Sequence, residues 1–203
     1  MLKKWLFVGP HPDDVELGCG GIIAKYRGEV EMYYLVLSPC TDELKNKMIL
    51  EEMRKAMGVA GITRSRVGNI QRRVFHEQRS KIRSMLLEVQ REFDPDLVFC
   101  PTLNDVHQDH SVTAEEVTRI FRDKGVLGYE AVRSSVFFTP NLYFTFGETH
   151  VREKISMIMC YKSQFDRYYF KPSVIRSLAR MRGNQVRSEY AEAFELIRLV
   201  ISR

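Results

Sequence analysis

Residues 78–101 read QRSKIRSMLLEVQREFDPDLVFCP. Ile82, Met85, Leu86, Val89 and Phe93 recur at three- and four-residue steps while Arg83, Glu88 and Glu92 fall elsewhere, the pattern of a helix with one apolar stripe. Asp94-Pro95 stops it, because the proline ring disfavours helical backbone in the residue before it. LVFCP then runs apolar without alternation, which suits a strand covered on both faces in a parallel sheet. A one-sided helix followed by a doubly covered strand predicts a layered α/β fold.

The same alternation extends in both directions. Strands are expected at Trp5 to Val8, Val30 to Leu37, Leu97 to Cys100, Val136 to Phe138 and Leu142 to Phe146. Helical spacing covers Cys19 to Arg27, Asp42 to Ala60, Gln78 to Phe93, Ser111 to Lys124 and His150 to Tyr161. Ser173 to Arg182 reads as a helix, and Phe194 to Ile201 suits a strand or a helix equally. At 203 residues the chain predicts a single domain, 1–203. With 44% apolar and 28% charged residues it can fill a core, which excludes disorder, collagen and coiled coil for the whole chain.

The net charge of +5 is unevenly placed: residues 1–150 hold 20 Lys/Arg against 21 Asp/Glu, and residues 151–203 hold 11 against 5. A solvated basic face explains this more simply than a binding surface. No zinc-finger spacing, aromatic RNA-binding motif or GxxG clamp speaks for nucleic acid. Cys19, Cys40, Cys100 and Cys160 are far apart and read as reduced, buried thiols. MLKKWLFVGP passes at once into polar HPDD, leaving no room for a leader, and no apolar run approaches a membrane span. A cytoplasmic location is expected.

Two polar clusters follow predicted strands: Gly9-Pro10-His11-Pro12-Asp13-Asp14 after the first, and Asn104-Asp105-Val106-His107-Gln108-Asp109-His110 after LVFCP. Open α/β sheets bind ligands at the carboxyl ends of their strands, so both clusters belong on that rim. His11, Asp14 and His110 supply the imidazole and carboxylate set of a catalytic Zn²⁺ site with one position left for water. Asp13 is the candidate general base, and His107, three residues before His110, is free to point at substrate. Taken alone, HPDD could be a turn and HxDH a helix start capped by Asp109 or Ser111. Their joint occurrence, using three of five histidines, favours a metal site; His76 and His150 have no acidic cluster and read as structural. Gly18-Cys19-Gly20-Gly21 lacks phosphate-loop spacing and is better explained by close helix packing. YKSQ at 161–164, RMRG at 180–183 and YAEAF at 190–194 carry no derivable chemistry alone.

PHPDDVELGCGG together with NDVHQDH resembles the LmbE-like, or PIG-L, family of zinc-dependent N-deacetylases of amino sugars. The resemblance continues in EMRKAMGVAG (52–61), PDLVFCP, YKSQF, Arg182-Gly183 and YAEAF, nearly the whole chain. It implies a Rossmann-like fold, a mostly parallel sheet with helices on both faces, and one Zn²⁺ on His11, Asp14 and His110; Fe²⁺ or another divalent ion would also suit those ligands. It further implies Asp13 as base, His107 as an imidazolium steadying the oxyanion, and Asp109 tuning His107. The chain departs from the family pattern at Pro10 and at Ser38-Pro39-Cys40-Thr41, a loop that frames the site and bears on substrate shape.

The expected reaction is hydrolysis of the N-acetyl group of an amino sugar or glycoconjugate, with Asp13 or His107 returning a proton to the leaving amine. The basic C-terminal third suggests that this sugar carries phosphate. Competing readings are a metallophosphoesterase, which ordinarily needs a second metal, and a carbohydrate-binding relic, which would have lost a ligand or the base. Sequence leaves the sugar and the oligomeric state open, a homo-oligomer included.

Overall fold

The structure, a computed structural model, describes residues 2–39 and 43–200. Its elements are β1 (Lys4–Gly9), α1 (Asp14–Tyr26), β2 (Glu31–Val36), α2 (Glu43–Ala60), β3 (Arg64–Val67), α3 (Arg79–Phe93), β4 (Leu97–Pro101), α4 (Gln108–Ile120), β5 (Gly125–Tyr129), β6 (Leu142–Phe146), α5 (Glu148–Ile158), α6 (Pro172–Asn184) and β7 (Tyr190–Arg198). One sheet carries the seven strands in the order β3-β2-β1-β4-β5-β7-β6. The first five are parallel, and β7 runs antiparallel to both β5 and β6.

Strand alternation sorts the core into two layers. Trp5 and Phe7 of β1 face Ile22, Met53, Val151 and Ile175 from α1, α2, α5 and α6. Leu6 and Val8 face the other way, against Ile82 and Leu86 of α3 and Val112 and Val117 of α4. The stripe read on residues 82–93 is the buried face of α3, and all five residues of β4 are buried, as expected for a strand sandwiched by helices.

Several expectations shift. α1 begins at Asp14 rather than near Cys19, with Asp14 and Glu16 in its first turn where acids favour the helix dipole. The expected strand at Val136 to Phe138 is a turn: Ser134 N and Ser135 N both bond Ala131 O at 2.9 Å. The Ser134 and Ser135 hydroxyls bond Asp105 at 3.0 and 3.2 Å, drawing this segment toward the strand ends instead of into the sheet. The ambiguous final segment is a strand. β3 and β5 carry no readable sequence signal, the first being an exposed edge of sequence RSRV and the second interrupted by Gly125 and Gly128. Cys19 and Cys100 are buried thiols, but Cys160 is half-buried; Cys40, Thr41, Asp42 and Ile201 lie outside the described residues.

The small residues of α1 serve close packing. A Cβ on Gly18 would stand 2.5 Å from the Tyr129 ring, and one on Gly21 2.3 Å from the Phe146 ring. The YAEAF stretch is β7, and its Glu192 accepts from Gly21 N and Ile22 N at 2.7 and 2.8 Å. Lys154 of α5 closes this buried group, donating to Glu192 and to Leu17 O at 2.6 Å each.

Candidate active site and metal centre

β1 pairs with β2 on one side and β4 on the other, so the chain reverses its winding direction between β1 and β4. The crevice at their carboxyl ends is where an open α/β sheet ordinarily binds its ligand. The first polar cluster leaves β1 at Gly9 and the second leaves β4 at Pro101, and their side chains meet there.

His11 Nδ1 lies 3.2 Å from Asp14 Oδ2, and His110 Nε2 lies 3.4 Å from the same oxygen. In a tetrahedral site with bonds of roughly 2.0–2.1 Å, donor atoms stand about 3.3 Å apart, so this spacing fits one small divalent ion. The outer ring nitrogens are engaged as metal-ligating imidazoles require: His110 Nδ1 meets Asp105 Oδ2 at 3.0 Å, and His11 Nε2 meets Asp109 Oδ2 at 3.0 Å. Each carboxylate fixes the tautomer that turns a lone pair inward. Burial works against charge on His110, yet Asp14 and Asp105 raise it to about 10. Burial likewise opposes ionisation of Asp14, but His110 and His11 hold it well below the usual carboxylate range.

His107 is also near, and the nitrogens of His11, His107 and His110 all lie within 4.8 Å of one another, a group that could hold a metal. Its tautomer differs. His107 is the N-cap of α4, and its Nδ1 accepts from Asp109 N at 3.2 Å, where a ligating imidazole would donate. The histidine caps the helix itself, in place of Asp109 or Ser111. Burial and the neighbouring His110 and His11 lower His107 to about 4. With Nδ1 accepting, a neutral His107 would carry its proton on Nε2. The Asp109 carboxylate bonds His11 and Arg73 N (2.9 Å) and its backbone N–H bonds His107, while its charge favours protonation of His107.

Asp13 enters α1 with φ 88°, in the left-handed region that non-glycine residues seldom occupy. Its carboxylate meets Arg167, whereas that of Asp14 meets the two histidines. Burial and the charge of Asp14 push Asp13 well above the usual carboxylate range, against the pull of Arg167, whose Nη1 is 3.5 Å from Oδ2. HPDD is also a turn, since Asp14 Oδ2 accepts from His11 N at 2.9 Å.

A cavity of about 380 Å³ opens over these groups. Gln164, Arg167 and Tyr169 line it, brought by the chain that follows α5, together with Arg72 and Arg73 after β3 and Arg133 after β5. Sequence reading noted Gln164 only within the polar YKSQ stretch and passed over the other five, because isolated arginines and a lone tyrosine have no period or spacing to mark them. Most of the basic C-terminal excess points elsewhere: Arg152 and Arg176 pair with Glu148, Arg182 with Glu130 and Lys154 with Glu192. His150 Nδ1 accepts from Gly147 N at the start of α5, a structural role, and His76 is exposed beside Glu77.

The model of the family described as PIG-L, GlcNAc-PI de-N-acetylase, matches residues 6–121, more than half of the chain and both polar clusters. The protein belongs to the PIG-L family. Membership makes it a hydrolytic N-deacetylase. Similar proteins include the uncharacterized deacetylase YaiS of Escherichia coli K12, 26% identical over 170 residues, or 79% of this chain and 91% of the relative. Among solved structures, N,N'-diacetylchitobiose deacetylase from Pyrococcus horikoshii is 22% identical, covering 97% of this chain and 84% of its own, with a TM-score of 0.76. GalB, a 4-carboxy-2-hydroxymuconate hydratase from Pseudomonas putida, is 17% identical, covering 100% and 99%, with a TM-score of 0.83. A hydratase and a deacetylase on one architecture mean that these likenesses establish the fold of this PIG-L member, while its substrate and the roles of its residues must be argued from its site. No helix among the described residues is long and apolar enough to cross a membrane.

Proposed function

We propose that this PIG-L member hydrolyses the N-acetyl group of an amino sugar or its glycoconjugate with a single Zn²⁺ or similar divalent ion on His11, Asp14 and His110. The observation that carries this reading is the meeting of three donor atoms at 3.2 and 3.4 Å, with Asp13 and His107 beside them in one cavity. When bound, such an ion lowers the pKa of a water to about 7 and acts as a Lewis acid toward a carbonyl.

Asp13 accepts the proton of the water that attacks the acetamide carbonyl. Its raised affinity for protons suits a base that must hold one through the reaction and hand it on. His107 directs Nε2–H at the oxygen that gains negative charge, and a neutral imidazole makes that donation without first needing a proton. As the C–N bond breaks, the departing nitrogen takes the proton from Asp13, leaving acetate and a free amine. Asp105 and Asp109 hold His110 and His11 in register, which makes Asp109 a supporting group that touches no reacting atom.

The test is acetate and amine release from N-acetyl sugars and their conjugates, with metal-replete and chelated protein. Release that needs the metal is expected; equal activity after chelation would end the metal-dependent reading. A phosphoesterase would instead release phosphate. The neutral His107 also has a pH consequence. Its proton-binding constant in the fold, about 4 against the ordinary 6.5, means that it stays uncharged across neutral pH. An imidazolium would lose its proton, and its function, as pH rises through its pKa. kcat/KM is therefore expected to show no fall between roughly pH 6 and 8 that belongs to His107. A basic limb in that window that disappears in His107→Gln would restore the imidazolium.

A further inference from the structure

Asp13 is 5% exposed, and among the described residues its carboxylate has one charged partner in contact, Arg167, whose Nη1 stands 3.5 Å from Oδ2. Asp14 is held differently, with His11 N, His11 Nδ1 and His110 Nε2 all within 3.4 Å of one of its oxygens. The aim of the base thus depends on where Arg167 sits.

Arg167 is itself fixed. Its Nη1 also donates to the Tyr169 hydroxyl at 2.8 Å, which Arg133 engages from the loop after β5. The guanidinium lies over the Tyr169 and Phe170 rings, 5.9 and 6.0 Å from their centroids. Both ends of the 161–170 strap, Tyr161 and Phe170, are core residues. Tyr161 donates to Glu16 at 2.6 Å, and the other oxygen of Glu16 takes the Tyr34 hydroxyl at the same distance. Glu16 lies on the first turn of α1, so the helix that carries Asp13 at its start also sets the register of the strap. Ser163 donates through N and Oγ to the buried Glu52 of α2, at 2.9 and 2.6 Å, and Arg167 N closes a turn on Gln164 O at 3.0 Å. YKSQ, without chemistry of its own in the sequence, is the anchor that delivers Arg167 to the base.

A base must stand close to the proton it takes, and a displacement of about 1 Å can cost about 100-fold in rate. A carboxylate turns about two side-chain torsions until a fixed charge holds it, and the planar guanidinium offers that hold from a rigid fork. We propose that Arg167 is a positioning residue: its guanidinium, fixed by the strap, orients the Asp13 carboxylate for proton transfer. The role rests on the deacetylase reading for the reaction it serves, while the contact itself does not.

Arg167→Gln is expected to lower kcat by about 10–100-fold, with KM changed less than about threefold and zinc content unchanged. In the Asp13→Asn background the same substitution should cost less than about twofold, because a residue that acts through Asp13 has nothing left to orient. Guanidinium ion added to Arg167→Ala should restore part of kcat, a response that a merely structural arginine would not give. A rise in KM at constant kcat, or a full second loss on top of Asp13→Asn, overturns the role. Crystal structures of the zinc-loaded wild type and Arg167→Gln read the orientation without turnover: the Asp13 carboxylate is expected to shift by about 1 Å or more. An unmoved carboxylate overturns the role whatever the kinetics. A shifted carboxylate, with no acetate released by the wild type from any N-acetyl sugar, would sink the deacetylase reading and leave the positioning standing.

Discussion

Asp13→Asn is expected to lower kcat by about 10²–10⁴-fold while the protein keeps its metal. The substitution is nearly isosteric, and asparagine is among the few residues that tolerate the left-handed backbone found at φ 88°. Asp14, His11 and His110 remain as they are, so the metal should stay. What is lost is the one group beside the donor set able to take a proton from water and return it to nitrogen. The amide can still hydrogen bond to Arg167, so binding of the sugar should suffer far less than turnover. Steady-state kinetics alongside elemental analysis checks both halves, and a variant with near-normal kcat and full metal would remove Asp13 from the role.

His110→Ala should yield a protein that no longer retains metal through dialysis, with activity lost in proportion. Two donor sets are compatible with the cluster, His11/Asp14/His110 and His11/His107/His110, and His110 belongs to both. The variant that separates them is His107→Ala. With Asp14 as the third ligand, His107→Ala keeps its metal and loses stabilisation of the oxyanion, whereas Asp14→Ala loses metal. The reverse pattern would make His107 the ligand. Asp105→Ala removes the partner that orients His110, together with the acceptor of the Ser134 and Ser135 hydroxyls and of His107 N, and should weaken metal binding by about 10–100-fold without abolishing it. Removing His110 also leaves Asp14 and the buried Asp105 without their shared imidazole partner, so a drop in stability is expected alongside the metal loss.

The fold was legible where burial imposes a period. Residues 82–93 show a stripe because one face of α3 packs on the sheet, and LVFCP shows none because β4 is covered on both sides. Where a strand lies at an exposed edge, as β3 does, or admits glycines for close approach, as Gly128 does against Thr102, the pattern fades and the element goes unseen. Val136 and Phe137 erred in the opposite direction: apolar and β-prone, they stand exposed on a turn that Asp105 draws toward the strand ends.

The meeting of His11, Asp14 and His110 was legible because they are crowded into two short clusters, and the strand-end rule says where such clusters go. Sequence alone determined that His11, Asp14 and His110 would be available at one rim, that Asp13 would accompany them, and that a layered α/β fold would carry them. Tertiary structure decided the rest. Asp109 turned its carboxylate to His11, His107 became the N-cap of α4, and Arg72, Arg133, Arg167 and Tyr169 arrived at the cavity from loops far apart in the chain. The reason is that proton affinity and hydrogen-bond choice depend on which groups lie within a few ångströms once water is excluded, and chain order does not encode that distance.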